Sequence, residues 1–281
     1  MIIWLASYPK SGNTWLRSLI STYFYTKDGK FNFQLLDKID QFPNTKYFEK
    51  FDDPFLKPES SSKYWLKVQN EINKDKKIKF LKTHSALCTI DKNIFTDTKN
   101  SLGAIYILRD PRNVITSISN HYGKNIEESL NFMKDEKRVL LNKKDNRYLG
   151  FIALFSWITH QKSWIENKTF PTLVIRYEDL EHRTFETFKK VFLFIKNLTN
   201  QKIFFDREKA KKTIVSCNFE NMKKLENEMG FPEAVIDKRS KQKINFFNLG
   251  KKNNFNKLLD KKTLDEMNII FQDQLRKFDY D

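Results

Sequence analysis

The fold is decided by the opening of the chain, residues 2–15, which reads Ile2-Ile3-Trp4-Leu5-Ala6-Ser7-Tyr8-Pro9-Lys10-Ser11-Gly12-Asn13-Thr14-Trp15. Its apolar first part predicts a buried strand over 2–7, and a helix is expected over 13–25. A tight turn between the two directs backbone N–H groups and a helix N-terminus at one point, an arrangement that binds phosphate. Gly12 allows close approach to an anion, Ser11 and Thr14 add hydroxyl donors, and Lys10 adds positive charge. We therefore expect a P-loop-like phosphate-binding turn after the first strand.

This turn departs from the nucleoside-triphosphatase pattern G-x-x-x-x-G-K-[ST]. Asn13 follows Gly12 where that pattern has lysine, and no glycine occupies its first position. A later strand, over 104–108, ends in Arg109-Asp110, so a cation stands where a metal-binding aspartate would be expected. The sequence therefore weighs against kinase or ATPase chemistry with Mg²⁺, and it predicts no metal site.

The rest of the chain alternates short β runs with longer helical patterns, which predicts an α/β fold with a central parallel sheet flanked by helices. We expect a single domain over 1–281, with residues 230–262 as its longest loop. Further strands are predicted over 78–82 and 172–176. Helices are predicted from 58, over 111–122, near 126–141, 147–167, 183–197, 206–215 and 218–228, and over 263–278.

Composition limits the class of protein. The 281 residues are 40% hydrophobic and include 26 Phe, which argues against intrinsic disorder. The net charge of +16 comes from lysines spread along the whole chain, so it predicts no specific nucleic-acid binding. Cys88 and Cys217 cannot form a disulfide framework, and no apolar run is long enough for a membrane helix. We expect a cytoplasmic protein without a transmembrane segment.

A second group of polar residues follows the later strands. Arg109 ends one strand and Ser117 lies in the next helix, and a guanidinium with a hydroxyl suits a second phosphate. The alternatives are an ion pair of Arg109 with Asp110 and an ordinary helical role for Ser117. His84 ends another strand beside Lys82, a position that suits a general base.

Two further predictions concern aromatic and histidine side chains. Trp15 could stack on a purine, but its residue type favours a place in the core. The other three histidines, at positions 121, 160 and 182, fall in predicted helices and are interpreted as surface or packing residues.

Together these segments resemble the cytosolic-type sulfotransferase family, whose members use 3′-phosphoadenosine 5′-phosphosulfate (PAPS). Residues 8–15 look like the family's 5′-phosphosulfate loop, 108–117 like its 3′-phosphate motif, and 82–84 like its catalytic-histidine segment. Residues 176–180 and 217–223 are similar to its two adenine-contacting segments. The resemblance runs from residue 6 to about 260 and implies PAPS as co-substrate. It implies nucleotide binding by Lys10, Ser11, Gly12, Asn13, Thr14, Trp15, Arg109, Ser117, Tyr177, Cys217, Phe219, Asn248 and Gly250.

One motif departs from the family. Its late Arg-Lys-Gly-x-x-Gly-Asp-Trp-Lys loop corresponds here to residues 248–256, which keep Gly250 and have Phe255 in place of Trp. The Arg-Lys pair is absent, and the sequence leaves open whether Lys251, Lys252 or Arg239 supplies its charge. The family's dimer motif is not recognisable, so the oligomeric state is left open.

The resemblance implies sulfuryl transfer to a hydroxyl or amine. In that reaction His84 takes the acceptor's proton, Lys10 stabilises the leaving phosphate and Lys82 neutralises the sulfuryl oxygens. The acceptor is a small molecule, a lipid or a saccharide, bound near 31–75, 122–150 and 230–250. Aromatic residues of these stretches either line the acceptor site or belong to the core: Phe31, Phe33, Phe42, Tyr47, Phe48, Trp65, Tyr122 and Phe231.

Two other functions remain as alternatives. One is a small-molecule or nucleotide kinase on a related fold. The other is a basic protein that binds nucleic acid or other anions and whose nucleotide site has decayed.

Overall fold

The structure, a computed structural model, describes residues 1–144, 147–231, 233–236 and 243–280. Short 3₁₀ turns lie at Phe33–Lys38, Thr45–Tyr47, Pro58–Tyr64 and Gly250–Lys252. The strands are β1 Ile2–Ala6, β2 Asp40–Gln41, β3 Lys79–Thr83, β4 Thr89–Ile90, β5 Asn93–Ile94, β6 Ser101–Leu108, β7 Val139–Lys144, β8 Arg147–Ala153, β9 Thr172–Arg176, β10 Val235–Ile236 and β11 Lys243–Ile244. The helices are α1 Asn13–Tyr25, α2 Trp65–Ile72, α3 Pro111–Tyr122, α4 Ile126–Lys134, α5 Trp157–Ile165, α6 Tyr177–His182, α7 Thr184–Thr199, α8 Arg207–Ser216, α9 Phe219–Met229, α10 Phe255–Leu258, α11 Lys261–Ile270 and α12 Gln272–Lys277.

The central sheet has five parallel strands in the order β2-β3-β1-β6-β9. Its middle strand β1 is buried on both faces, as is usual for parallel strands covered by helices. Ile2, Trp4 and Ala6 pack into one apolar core, and Ile3 and Leu5 pack into another on the opposite face. The predicted α/β fold with a central parallel sheet flanked by helices is confirmed.

Strand-end motifs fold as their residue types predict. Asp110 caps α3, where its side chain accepts a hydrogen bond from the Arg112 N–H, and Pro111 is the first helical residue. Gly123 ends that helix in the left-handed conformation with φ 62°. Because all five strands are parallel, their carboxyl ends meet at one edge of the sheet.

One stretch was predicted wrongly. Helices were expected near 126–141 and 147–167, but α4 ends at Lys134 and β7 and β8 form an antiparallel hairpin before α5 begins. Both hairpin arms are rich in apolar and β-forming residues, and Asp145-Asn146 between them is a turn signal that the helical interpretation overlooked. Gly150 in β8 has φ 86°, and a Cβ there would lie 3.1 Å from the Phe48 ring, so both the backbone and the packing at this position favour glycine.

Other differences are smaller. The helix expected from 58 is a 3₁₀ turn followed by α2, and the helix expected over 263–278 divides into α11 and α12 at Phe271. The stretch expected to be one long loop contains β10, β11 and α10. In the part of the chain that the structure describes, no helix is long and apolar enough to cross a bilayer.

Candidate active site

A cavity of about 600 Å³ lies at the carboxyl edge of the sheet. Each parallel strand contributes a lining residue at or shortly after its end: Lys10 for β1, Gln41 for β2, His84 for β3, Arg109 for β6 and Tyr177 for β9. Ligands of open α/β sheets generally bind at this edge. Of the site residues expected from the sequence, Ser11 alone does not line this cavity.

The turn after β1 forms a local cradle at the start of α1. Lys10 has φ 67° and Gly12 has φ 100°, so both lie in the left-handed region. Gly12 precedes α1, and within the described residues this helix has no side-chain hydrogen bond from its N-cap and no acidic residue in its own first turn. A Cβ on Gly12 would lie 2.6 Å from the Tyr177 ring. Glycine is therefore needed here for two reasons: the close contact with Tyr177 and the close approach of an anion that the sequence predicts.

The hydroxyl and amide side chains of this turn differ in what they contact. The Ser11 side chain is buried, and its Oγ has no hydrogen-bond partner in the part of the chain that the structure describes. Asn13 Nδ2 donates to the Leu5 carbonyl at 2.9 Å and to Ser7 Oγ at 3.2 Å, so this amide ties α1 to β1. A buried hydroxyl without a partner is costly unless a ligand satisfies it, so Ser11 is a donor suited to an anion at the turn.

Lys10 presents an ammonium group to the cavity. Its Nζ lies 3.7 Å from the centroid of the Phe246 ring, and it has no carboxylate partner among the described residues. Burial lowers the pKa of Lys10 to about 7, although the Glu233 carboxylate opposes that shift. The charge on Lys10 is therefore sensitive to pH near neutrality and to any anion that binds beside it.

Arg109 and Ser117 come together as expected. The Arg109 guanidinium donates through Nη1 to the Lys10 carbonyl at 3.1 Å and, over a long contact of 3.4 Å, to Ser117 Oγ. It stacks 4.1 Å above the Tyr177 ring, and its buried Nε has no hydrogen-bond partner within the described ranges. The alternative of an ion pair with Asp110 is not found, because Asp110 pairs with Arg112 at 2.8 Å.

The hydrogen bonds of His84 define its tautomer. Nδ1 lies 2.8 Å from the Ser7 carbonyl oxygen, which can only accept, so Nδ1 carries the hydrogen. Nε2 therefore keeps its lone pair, as a general base requires. Burial lowers the pKa of His84 to about 3, and the positive charge of Lys82 adds to that shift. The ring is neutral at physiological pH.

A second, fully buried histidine supports this position. His160 Nε2 lies 3.1 Å from the His84 carbonyl oxygen, and its Nδ1 lies 2.9 Å from the Tyr106 hydroxyl. Because a carbonyl accepts only, Nε2 is the protonated nitrogen and Tyr106 donates to Nδ1. The interpretation of His160 as a packing residue is confirmed.

Glu233 is a charged cavity residue that the sequence did not single out. Its Oε1 lies 3.0 Å from both Lys82 Nζ and Arg17 Nη1, and its Oε2 accepts a 3.0 Å hydrogen bond from Thr14. Lys82 and Arg17 hold the pKa of this carboxyl near 2 despite its burial. Glu233 lies about 150 residues from Lys82 in the chain, inside the predicted loop, so no local pattern reveals the contact.

His121 was interpreted as a surface or packing residue, but it lines the cavity. Its ring lies 5.8 Å from that of Phe246, and burial lowers its pKa to about 4, so it is neutral. The helical spacing could have revealed it, because Ser117 and His121 are four residues apart and share one face of α3.

Aromatic side chains form another part of the wall. Trp15 is half-buried and meets Tyr177 edge to face at 5.7 Å, so it packs against protein and borders the cavity at once. Phe219 contacts Phe247, and a Cβ on Gly250 would lie 2.5 Å from the Phe219 ring. With φ 52°, Gly250 is required both by its backbone and by this aromatic contact.

Two expected binding residues make contacts within the protein. The Cys217 side chain is fully buried and its Sγ lies 3.4 Å from Thr22 Oγ1, so its thiol faces the core. Burial raises the pKa of that thiol to about 12. Asn248 donates from Nδ2 to Asn120 Oδ1 at 2.6 Å, which joins residues 246–256, here called the late segment, to α3.

The aromatic residues proposed for the acceptor side are mostly core. Tyr122 lines the cavity, whereas Phe42, Phe48 and Trp65 are completely buried. The remaining four, Phe31, Phe33, Tyr47 and Phe231, also pack into the two apolar cores and do not line the cavity. Gln41, Leu140 and Ile152, which lie outside the nucleotide motifs, line the cavity together with Tyr122.

Three residues were candidates to replace the charge of the family's Arg-Lys pair: Lys251, Lys252 and Arg239. Arg239 and the side chain of Lys251 lie outside the described residues, and Lys252 is exposed and does not line the cavity. Within the described ranges, no group of three or more His, Cys, Asp or Glu side chains is placed to hold a metal ion.

Comparisons with known proteins agree with the geometry. The family model of the sulfotransferase domain matches residues 2–279. The chain is 24% identical to the luciferin sulfotransferase of Photinus pyralis over 85% of this chain and 61% of that protein, thus less than two thirds of its length. It is 24% identical to sulfotransferase 1B1 of Mus musculus over 83% of this chain and 70% of that one.

Solved structures show the same fold. A retinol dehydratase in complex with androsterone and the inactive cofactor PAP superimposes with a TM-score of 0.60 at 15% identity, over 98% of this chain and 80% of that one. A mouse sulfotransferase complexed with PAP gives a TM-score of 0.59 at 20% identity, over 99% and 84%.

Proposed function

The chain belongs to the sulfotransferase domain family, and from this premise we propose that it transfers a sulfuryl group from PAPS to a hydroxyl or amine of a small-molecule acceptor. One observation carries the proposal. Lys10 and Arg109 end two different strands, line the same cavity, and have no carboxylate partner among the described residues. Two unpaired cations beside aromatic side chains suit a nucleotide with two separate phosphate groups.

The residues present fit this nucleotide. The described residues provide no side-chain cap for the start of α1 and no partner for the buried Ser11 hydroxyl or the Arg109 Nε, although the Glu233 carboxylate accepts a hydrogen bond from Thr14 in the first turn. We assign the 5′-phosphosulfate to Lys10, Ser11 and the α1 amides, and the 3′-phosphate to Arg109 and Ser117. Trp15, Tyr177 and Phe219 are assigned to the adenine. PAPS supplies the sulfuryl group and a bisphosphate leaving group.

His84 takes the acceptor's proton in this proposal. Its Nδ1–H is held by the Ser7 carbonyl, so Nε2 keeps its lone pair and the base is oriented before the acceptor binds. His160 holds the backbone carbonyl of the same residue, which limits movement of the base. A fixed base of this kind contributes about 10²- to 10⁴-fold to a rate.

Lys10 and Lys82 provide positive charge where negative charge accumulates. Lys10 has no carboxylate partner among the residues that the structure describes, so its ammonium can stabilise the departing 5′-phosphate. Lys82 is neutralised by Glu233, and Thr14 binds the same carboxylate. For Lys82 to neutralise sulfuryl oxygens, the Glu233 carboxylate has to give way when PAPS binds.

The acceptor is assigned to the part of the cavity wall that the nucleotide motifs do not supply. Gln41, Tyr122, Leu140 and Ile152 come from the edge strand, the end of α3 and the β7–β8 hairpin. Two aliphatic side chains, a phenol and an amide suit a small, mainly apolar alcohol or phenol. The names of the luciferin sulfotransferase and of the retinol dehydratase complex, whose ligand is androsterone, support an acceptor of this kind.

We also propose a cytoplasmic location. Cys88 and Cys217 are unpaired, which is usual in a reducing compartment.

The experiment is a transfer assay with PAPS that carries a labelled sulfuryl group, using phenols, aliphatic alcohols, amines and oligosaccharides as acceptors. Transfer to a phenol or alcohol that is lost in His84→Ala supports the proposal. Absence of transfer to any acceptor, together with Mg²⁺-dependent consumption of ATP, would instead favour the kinase alternative.

A further inference from the structure

The late segment contacts α3 through a buried asparagine at a position where no role was assigned. Asn253 is 9% exposed, lines the cavity and follows the turn Gly250–Lys252. We propose that Asn253 is a positioning residue that directs the Ser117 hydroxyl at the 3′-phosphate and so determines selectivity for 3′-phosphorylated nucleotides. This inference rests on the proposed function, because it assigns a residue to the same nucleotide site.

The hydrogen bonds of Asn253 fix the orientation of its amide. Nδ2 donates to the Asn113 carbonyl at 2.9 Å and to Ser117 Oγ at 2.9 Å, while Oδ1 accepts from the Thr116 hydroxyl. Because a backbone carbonyl can only accept, the atom facing Asn113 has to be the nitrogen. Both amide hydrogens are therefore used, and the second of them reaches Ser117.

Counting hydrogen-bond donors and acceptors in the same way determines the role of the Ser117 hydroxyl. Its oxygen accepts from Asn253 Nδ2 and, over 3.4 Å, from Arg109 Nη1, so both lone pairs are engaged. Its hydrogen has no acceptor among the described residues, and Ser117 lines the cavity. The hydroxyl is thus left as a donor, and an anion in the cavity is the partner it lacks.

The late segment offers little charge to a phosphate, so the orientation of the neutral hydrogen-bond donors in the cavity wall is important. The described residues of the late segment that line the cavity are all uncharged: Phe246, Phe247, Asn248, Leu249, Gly250 and Asn253. Asn248 and Leu249 stand where the family has its Arg-Lys pair. Recognition of the 3′-phosphate therefore relies on the Arg109 guanidinium and on neutral donors held in place, of which Ser117 is fixed by Asn253.

The test compares two nucleotides that differ only in the 3′-phosphate. Dissociation constants for 3′,5′-adenosine bisphosphate (PAP) and for 5′-AMP are measured by calorimetry with the full chain and its variants. Asn253→Ala should weaken PAP binding about tenfold and change AMP binding less than twofold. Asn253→Asp, which has the same shape, should weaken PAP further, because its carboxylate takes the Ser117 hydrogen and repels the phosphate.

A double-mutant cycle isolates the action through Ser117. Ser117→Ala alone should lower PAP affinity, and adding Asn253→Ala to it should cause no further loss of selectivity. Asn256→Ala, an exposed change in the same segment, is the control and should bind both nucleotides as the unmodified chain does. Melting temperatures identify a variant that fails to fold, and Asn253→Asp then decides the outcome if Asn253→Ala is lost.

Three results would overturn the inference. They are an equal loss of PAP and AMP binding in the Asn253 variants, unchanged PAP binding, or additive losses of selectivity in the cycle. An unmodified chain that binds PAP no better than AMP contradicts the 3′-phosphate assignment while leaving a nucleotide site. A chain that binds neither nucleotide contradicts the proposed function as well.

Discussion

Replacing Glu233 by Gln should lower the stability of the free protein and strengthen the binding of PAPS. The carboxylate makes two ion pairs and one hydrogen bond, each 3.0 Å long, and its side chain is 27% exposed. At this partial exposure each ion pair contributes about 1 kcal/mol, and the amide oxygen of Gln can keep the hydrogen bond from Thr14, so we expect a combined loss of about 2 kcal/mol. At roughly 2–4 °C per kcal/mol, the melting temperature of the free protein should fall by about 4–8 °C.

The same change should strengthen PAPS binding. In the unmodified chain PAPS has to displace a carboxylate from Lys82 and Thr14, whereas a neutral amide gives way more easily. We expect the dissociation constant for PAPS to fall about tenfold, which is about 1.4 kcal/mol. Calorimetry without acceptor measures this affinity, and a melting curve with PAPS should show a larger ligand-induced rise than in the unmodified chain.

Glu181→Gln is the matched control, because Glu181 lines the same cavity and has no contact with Lys82. It should change neither the melting temperature nor the dissociation constant for PAPS by a comparable amount.

The loss of stability caused by Glu233→Gln should also become smaller as the pH is lowered. The pKa of Glu233 is depressed to about 2, so its contribution is complete above about pH 4.5 and is lost as the pH falls towards 2. PAPS affinity that is unchanged or weaker in Glu233→Gln would refute the displacement argument.

Three other expectations concern the assigned binding and catalytic residues. Because the pKa of Lys10 is about 7 in the free protein, PAP affinity measured by calorimetry should fall as the pH rises from 7 to 9. Lys10→Arg should remove that fall, and an equal pH dependence of PAP affinity in both proteins would contradict the role of Lys10. His84→Ala should lower labelled sulfuryl transfer by about a hundredfold with PAP affinity kept within about threefold, and an equal loss of both would argue against a base. Arg109→Ala should weaken PAP far more than adenosine 5′-phosphosulfate, and an equal loss for both nucleotides would place Arg109 elsewhere.

Much of the fold and part of the site follow from local sequence. The apolar run before Lys10, the Asp110-Pro111 helix start and the Gly123 stop each have a physical signature within a few residues. Strand ends of a parallel sheet meet at one edge, so residues that follow separate strands can be expected to share a cavity. This rule predicts that His84 and Arg109 share one cavity, as they do.

The features that sequence missed depend on contacts between distant segments. Glu233 meets Lys82 and Arg17 only after the chain has folded, and Asn253 meets Ser117 across 136 residues. The β7–β8 hairpin was mistaken for helix because an apolar stretch with lysines is compatible with both the helical and the strand period. For the aromatic residues of the acceptor stretches the sequence left both the acceptor site and the core open, and all of them except Tyr122 pack into the core, where large side chains bury most area.

A crystal structure of the full chain with PAP tests the central assignment most directly. Our account places the Lys10 ammonium within about 3.2 Å of the 5′-phosphate and the Arg109 guanidinium and Ser117 hydroxyl within about 3.2 Å of the 3′-phosphate. PAP bound elsewhere, or bound here with Lys10 and Arg109 directed away from its phosphates, would contradict it.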